Sequence, residues 1–145
     1  MNENPLDNAP QVVNPLPNSA VVFRAATDAT WFYDNNTKVD AAAFIKRSPR
    51  WDANGLSIGT EPYFYRDYFL KPINGIISVN VGKVREVVEG QPDHILDVLI
   101  DNKPHGNITG LPFPKRGLRR MAERLASLLA RQASKPFEVF DPPRL

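Results

Sequence analysis

The chain of 145 residues contains no cysteine. Disulfides, thiolate nucleophiles and cysteine-ligated zinc are thereby excluded. Histidine is scarce too: there are two, His94 and His105, and no HExxH spacing occurs. A metal centre would have to be assembled from scattered carboxylates, so no metal is expected. No apolar run approaches the ~20 residues that cross a bilayer, and no membrane partner is expected. The start, Met1-Asn2-Glu3-Asn4-Pro5, has neither the basic nor the apolar region of a secretory signal. That points to a cytoplasmic protein and leaves open export by a machine that reads no signal peptide. No P-loop, no GxGxxG and no specific paired-carboxylate motif is present.

Proline, by contrast, is abundant, with fourteen residues. Residues 1–19 hold Pro5, Pro10, Pro15 and Pro17 with five asparagines and no periodicity, and read as a disordered tail. Residues 20–141 read as a single α+β domain with a small, mostly antiparallel sheet, and 142–145 as a short C-terminal end. Val21 to Ala25 has the β-branched and aromatic content of a first strand, Arg24 sharing a face with Val22. Val39 to Ile45 is a short element of either type. Ser48 to Gly55 reads as a loop and Leu56-Ser57-Ile58 as the strand leaving it. Thr60-Glu61-Pro62 resembles a helix start, which favours a short aromatic helix over Tyr63 to Leu70. Gly75 to Val88 reads as the longest strand, bulged at Gly82 where the alternation shifts phase. Ile95 to Ile100 is its expected antiparallel partner. Phe137 to Phe140 offers a closing edge strand.

Leu118, Met121, Ala122, Leu125, Leu128 and Leu129 recur at helical spacing and predict a long C-terminal amphipathic helix with Pro114 in its first turn. Between 115 and 131, Lys115, Arg116, Arg119, Arg120, Arg124 and Arg131 face Glu123 alone, in a chain whose net charge is +2. Basicity therefore belongs to one element, and the remainder is net acidic. Cations crowd the end of the helix that already carries positive partial charge. A bound anion such as phosphate would relieve that conflict; a solvated arginine face is the alternative. Arg116 and Arg120 are the candidate anion ligands.

The segment Pro104 to Pro112 reads as a loop between the last strand and this helix. His105 is suited there to proton transfer near neutral pH, with Asn107 and Thr109 as ligand-orienting donors and acceptors. Arg24 in an apolar strand must lie at a solvated edge, pair with a carboxylate, or line a polar cleft. Ser57 stands in no recognisable hydrolase motif, and neither histidine has a motif context that makes it the base of such an enzyme. Asp97 and Glu86 are candidate carboxylates that alternation puts on the solvent side.

The order of these parts, a Phe23-Arg24 strand, a Gly55-Leu56-Ser57-Ile58 strand, the segment His105-Gly106-Asn107-Ile108-Thr109-Gly110 and a basic C-terminal helix, resembles small bacterial effector toxins of the Tse2 type, whose fold is similar to ADP-ribosyltransferases. It also looks like short bacterial proteins that carry the same Arg-strand, Leu-Ser-Val and His-segment order. The resemblance implies a toxin-like domain that acts on NAD or a nucleotide, with NAD as substrate. It makes Arg24 a ligand for the nicotinamide ribose or phosphate, Ser57 a shaper of the pocket and His105 a polar site residue. It implies an immunity or antitoxin protein as partner. Such transferases use a glutamate on the ribose hydroxyl, and Glu61, Glu86 and Glu89 compete for that role. Two rival expectations stand beside this one. One is a non-enzymatic module that holds nucleic acid or an acidic protein on the 115–131 helix. The other is a metal-independent ribonuclease built on His105 and nearby arginines.

Overall fold

Short runs of β-branched residues alternating with small or polar ones build the sheet that carries the candidate site. The computed structural model describes residues 16–35, 37–62, 64, 73–87 and 95–137, with the main chain alone for 134–137. In chain order the strands are β1 (Val21–Ala26), β2 (Phe32–Tyr33), β3 (Lys38–Val39), β4 (Leu56–Gly59), β5 (Gly75–Asn80), β6 (Asp97–Asn102), β7 (His105–Thr109) and β8 (Ser134–Phe137). The α-helices are α1 (Val81–Glu86) and α2 (Arg119–Gln132), and Ala29–Trp31 and Ala41–Phe44 are single 3-10 turns. Six strands form one sheet in the order β6-β7-β4-β1-β5-β8, with every neighbouring pair antiparallel. β2 and β3 form a separate two-stranded ribbon. The α+β class with a mostly antiparallel sheet and a C-terminal helix is the observed architecture.

The period-2 alternation of the strands separates two apolar layers. Val22, Ala26, Leu56, Ile58, Ile77, Val79 and Ile108 face the main core, which Phe44, Trp31 and the α2 residues Leu125, Ala126 and Leu129 close from the helix side. Ala25, Ile76, Ile73 and Phe64, with Phe23 beside them, form a smaller cluster on the opposite face. Arg24 thus shares the main-core face with Val22, whereas Ser57, between Leu56 and Ile58, points to the other side.

Several expectations are corrected here. The long bulged strand ends at Asn80, and the phase shift is the start of α1, not a bulge. The Asn80 side chain accepts the Lys83 N–H at 2.9 Å and so caps the helix. Val81, Val84 and Val87 then all point inward. Ile95 to Ile100 does not pair with that strand: β6 pairs with β7. The Pro104–Pro112 segment is largely a strand, because His105 to Thr109 bridges β4 and β6. α2 begins at Arg119, so Pro114, Lys115 and Arg116 precede it; Gly117, at φ 85°, breaks the chain just before the helix. The C-terminal strand runs over Ser134–Phe137, and 138–140 lie outside the described residues. So does all of the expected aromatic helix apart from Phe64. Contacts with the domain body begin before residue 20: Leu16 packs on the main core and the Asn18 carbonyl accepts the Gly82 N–H at 3.0 Å.

Candidate functional site

Three neighbouring strands bring Ser57, His105 and Asp101 into one hydrogen-bonded line. The β4–β7 register sets Ser57 opposite Asn107 and Gly59 opposite His105, so both β7 side chains project on the face of Ser57. The β6–β7 hairpin turns at Lys103-Pro104, which returns the chain so that Asp101 lies beside His105. Ser57 Oγ is 2.7 Å from His105 Nε2, and His105 Nδ1 is 2.6 Å from Asp101 Oδ1. Asn107 Nδ2 donates to the other carboxylate oxygen, Asp101 Oδ2, at 2.9 Å.

The chemistry of each partner fixes the direction of the line. A carboxylate only accepts, so the neutral imidazole carries its proton on Nδ1 and leaves Nε2 to accept from the Ser57 hydroxyl. Partial burial acts to raise the Asp101 pKa, but the hydrogen bonds from His105 and Asn107 outweigh it and hold the carboxyl below its ordinary range. Asp101 is therefore ionised at neutral pH. Asn107 is itself buried and anchors the carboxylate from below. The Phe64 ring, fully buried, stands 6.5 Å from the imidazole and closes one side of the site. Gly59 makes room for it, since a Cβ there would overlap the Phe64 ring. Solvent still reaches the line, for the His105 side chain is 21% exposed and that of Asp101 46%.

Of the residues singled out in the sequence, Ser57, His105 and Asn107 come together. Arg24 does not join them. Its Nε donates to the Ala43 carbonyl at 2.6 Å and its Nη1 to the Ser57 carbonyl at 2.9 Å, from the main-core face. Its guanidinium also lies 4.9 Å from the Trp31 ring centre. None of the three expected settings applies; Arg24 is a buried staple among β1, the Ala41–Phe44 turn and β4. β1 and β4 register at Phe23 and Gly59 alone, so a side chain, not a backbone N–H, satisfies Ser57 beyond that point. Burial pushes the Arg24 pKa down to about 10, against the attraction of Asp52, and the group is still a cation at neutral pH. Thr109 lies farther along β7, within 3.5 Å of the Asp97 carbonyl, and Asp97 is bound to Arg85. Arg116 and Arg120 are exposed, and Arg120 lies on α2, which packs on the main-core face opposite Ser57.

Asp101 is the site residue that sequence reasoning missed. The signal lay in Asp101-Asn102-Lys103-Pro104-His105, which is a hairpin turn flanked by two strands. The proline and two glycines around it read instead as an irregular connection. Among the described residues, no three histidine, aspartate or glutamate side chains gather as a metal site, and no helix is long and apolar enough to cross a membrane. Compared with known proteins, the chain matches no protein-family model, no curated protein and no solved structure.

Proposed function

We propose that this domain is a small hydrolase or acyl transferase whose nucleophile is the Ser57 hydroxyl, with His105 as general base and acid and Asp101 as the group that orients it. The observation that carries this reading is the unbroken line from Ser57 Oγ through both imidazole nitrogens to Asp101 Oδ1, at 2.7 and 2.6 Å. A lone serine in a strand is a weak nucleophile; one hydrogen-bonded to an imidazole that is itself held by a carboxylate has the arrangement that activates it. In the reaction, Ser57 Oγ bonds to the carbonyl carbon of an ester and its proton passes to His105 Nε2. The bond from carbon to the leaving alkoxide then breaks, and His105 returns the proton to that oxygen. Water next attacks the acyl-serine carbonyl carbon and gives a proton to His105; the bond from that carbon to Ser57 Oγ then breaks, and His105 passes the water-derived proton to Oγ as the acid departs.

The NAD-directed transferase implied by the sequence resemblance is less well supported. It relies on Arg24 as a substrate ligand, and two of that residue's nitrogens are engaged by backbone oxygens on the other face.

The test is hydrolysis of p-nitrophenyl esters of graded acyl length, with fluorophosphonate labelling read by mass spectrometry. The expected result is turnover, an adduct on Ser57, and losses of about 10²–10⁴-fold in Ser57→Ala and His105→Ala. A folded wild-type protein that neither turns over esters nor labels overturns the reading. Release of nicotinamide from NAD without an adduct on Ser57 overturns it in favour of the transferase.

A further inference from the structure

Trp51 is the most exposed large apolar side chain among the described residues, at 75%. It does not sit on a floppy tip. The Asp52 carboxylate accepts the Arg47 and Ser48 N–H groups at 2.8 and 3.1 Å, and the Asp52 N–H returns to the Ser48 carbonyl at 2.8 Å. The Trp51 N–H is held in turn by Ser48 Oγ at 3.1 Å. A loop fixed by five such bonds, the fifth from the Gly55 N–H to the Asp52 carbonyl, presents an indole to water. Hydrophobicity alone does not account for so rigid a display.

The surroundings of the indole are cationic. The Arg50 guanidinium lies 4.8 Å from the Trp51 ring centre, and Arg47, exposed on the same loop, has its guanidinium 5.6 Å from the Trp31 ring centre. Lys46 extends from the loop's start over the Phe113 ring, 4.6 Å from its centre. That contact joins the loop to the segment that carries exposed Lys115 and Arg116 and then enters α2 at Arg119. The first turn of α2 contains no acidic residue. Asp52, the acid of the loop, has its carboxylate engaged by backbone N–H groups. Two separate stretches of sequence that carry exposed cations thus meet at Lys46 and Phe113, and one of them displays the accessible indole.

We infer that this surface binds single-stranded nucleic acid, with one base stacked on Trp51 and the phosphates that flank it on Arg50, Arg47, Lys115 and Arg116. A flat aromatic face amid cations is what an unpaired base and its backbone require, and it is tolerant of base identity. A lipid surface fits less well. Trp51 stands between Arg50 and Asp52, and sinking it into a bilayer would drag both charges with it. None of these residues belongs to the hydrogen-bonded line of Ser57, so the two sites are tested separately.

The experiment is a fluorescence anisotropy titration of the full chain with labelled twelve-nucleotide oligouridylate and oligothymidylate over a series of KCl concentrations. The chain has two tryptophans, and Trp31 is buried, so quenching of intrinsic emission reports Trp51. Binding should come with quenching and a log K that falls linearly with log salt, by about 0.7 for each phosphate contacted. Trp51→Ala should weaken binding about 5- to 150-fold, and Trp51→Phe should restore much of the loss. Arg50→Ala and Arg116→Ala should each flatten the salt slope by about 0.7. Ser57→Ala should bind as the wild type does, whatever its esterase activity, which separates this inference from the reading of Ser57. A preference between the two oligonucleotides assigns the ligand to RNA or DNA. The inference is overturned if neither oligonucleotide binds at low salt, or if Trp51→Ala binds as well as the wild type. It is equally overturned if phosphatidylserine vesicles bind and the oligonucleotides do not.

Discussion

A buried guanidinium has few ways of being stable, and Arg24 shows one of the less familiar ones. It answers its charge with two backbone carbonyls and an indole face instead of a carboxylate partner. Removing it would strand the Ala43 and Ser57 oxygens in the core and leave a cavity the size of a long side chain. Both consequences are costly, since a buried acceptor without a donor loses its hydration with nothing in return. Arg24→Ala should therefore destabilise by about 3–5 kcal/mol in a urea titration. Arg24→Lys should recover little, because an ammonium cannot reach both oxygens from one planar fork. Ser57→Ala, which removes a single hydroxyl from a half-buried site, should cost about 1 kcal/mol or less. Equal costs for Arg24→Ala and Ser57→Ala would mean that Arg24 does not hold β4 in place. The comparison also guards the catalytic test: loss of activity in Arg24→Ala speaks of folding, and loss in Ser57→Ala speaks of chemistry.

Elements differ in how far their sequences betray them. In α2 the stripe of Leu125, Ala126 and Leu129 is buried while Arg119, Arg120 and Glu123 face water. Leu125→Ala should cost about 2–5 kcal/mol. Arg120→Ala should be neutral or stabilising by a few tenths of a kcal/mol, because it lifts a cation from the positive end of the helix. Denaturant midpoints for the two variants check the assignment of the faces, and a substantial loss in Arg120→Ala would contradict it. This helix was legible because its pattern is long and one face is continuous. α1 was not, because two valines, a glycine and three charged residues satisfy a shifted strand pattern as well as a helical one. What decided it was the Asn80 cap, a single side-chain bond to Lys83. β7 was hidden for a different reason: Pro104 and Gly110 do turn the chain at its two ends, and Gly106 between them is a turn former whose local preference the register with β4 and β6 overrides. The site was half visible for the same cause. Ser57, His105 and Asn107 stood out as residues, but their convergence on Asp101 depends on strand pairing that no local pattern reports. Arg24 stood out correctly as unusual, and the guess of its partner failed because backbone carbonyls leave no mark in a sequence.

At the scale of the molecule, the sheet separates two regions that the chain order had blended. One face bears the Ser57 line, and the other bears the main core and α2. The N-terminal segment ties the periphery of the main-core side together. The Asn18 carbonyl accepts from Gly82 N–H and from Asn80 Nδ2, each at 3.0 Å, and its side-chain oxygen accepts from Arg85 Nη1 at 2.6 Å. Arg85 also binds Asp97 at 2.8 Å, so one residue before β1 is linked through α1 to the edge strand β6. Leu16 adds apolar contact with the core. Two truncations test where the domain begins. Removing residues 1–15 spares every one of these contacts and should leave the melting temperature within a few degrees of the full chain. Removing residues 1–19 deletes Leu16 and all the Asn18 bonds, each worth about 0.5–1.5 kcal/mol net. In domains of this size range 1 kcal/mol moves the melting temperature by about 2–8 °C, so the longer truncation should fall by clearly more than the shorter one. If both fall equally, a segment upstream of Leu16 contributes to the fold. If neither falls, the bridge from Asn18 through Arg85 to Asp97 contributes nothing to stability, and β6 is held by β7 alone.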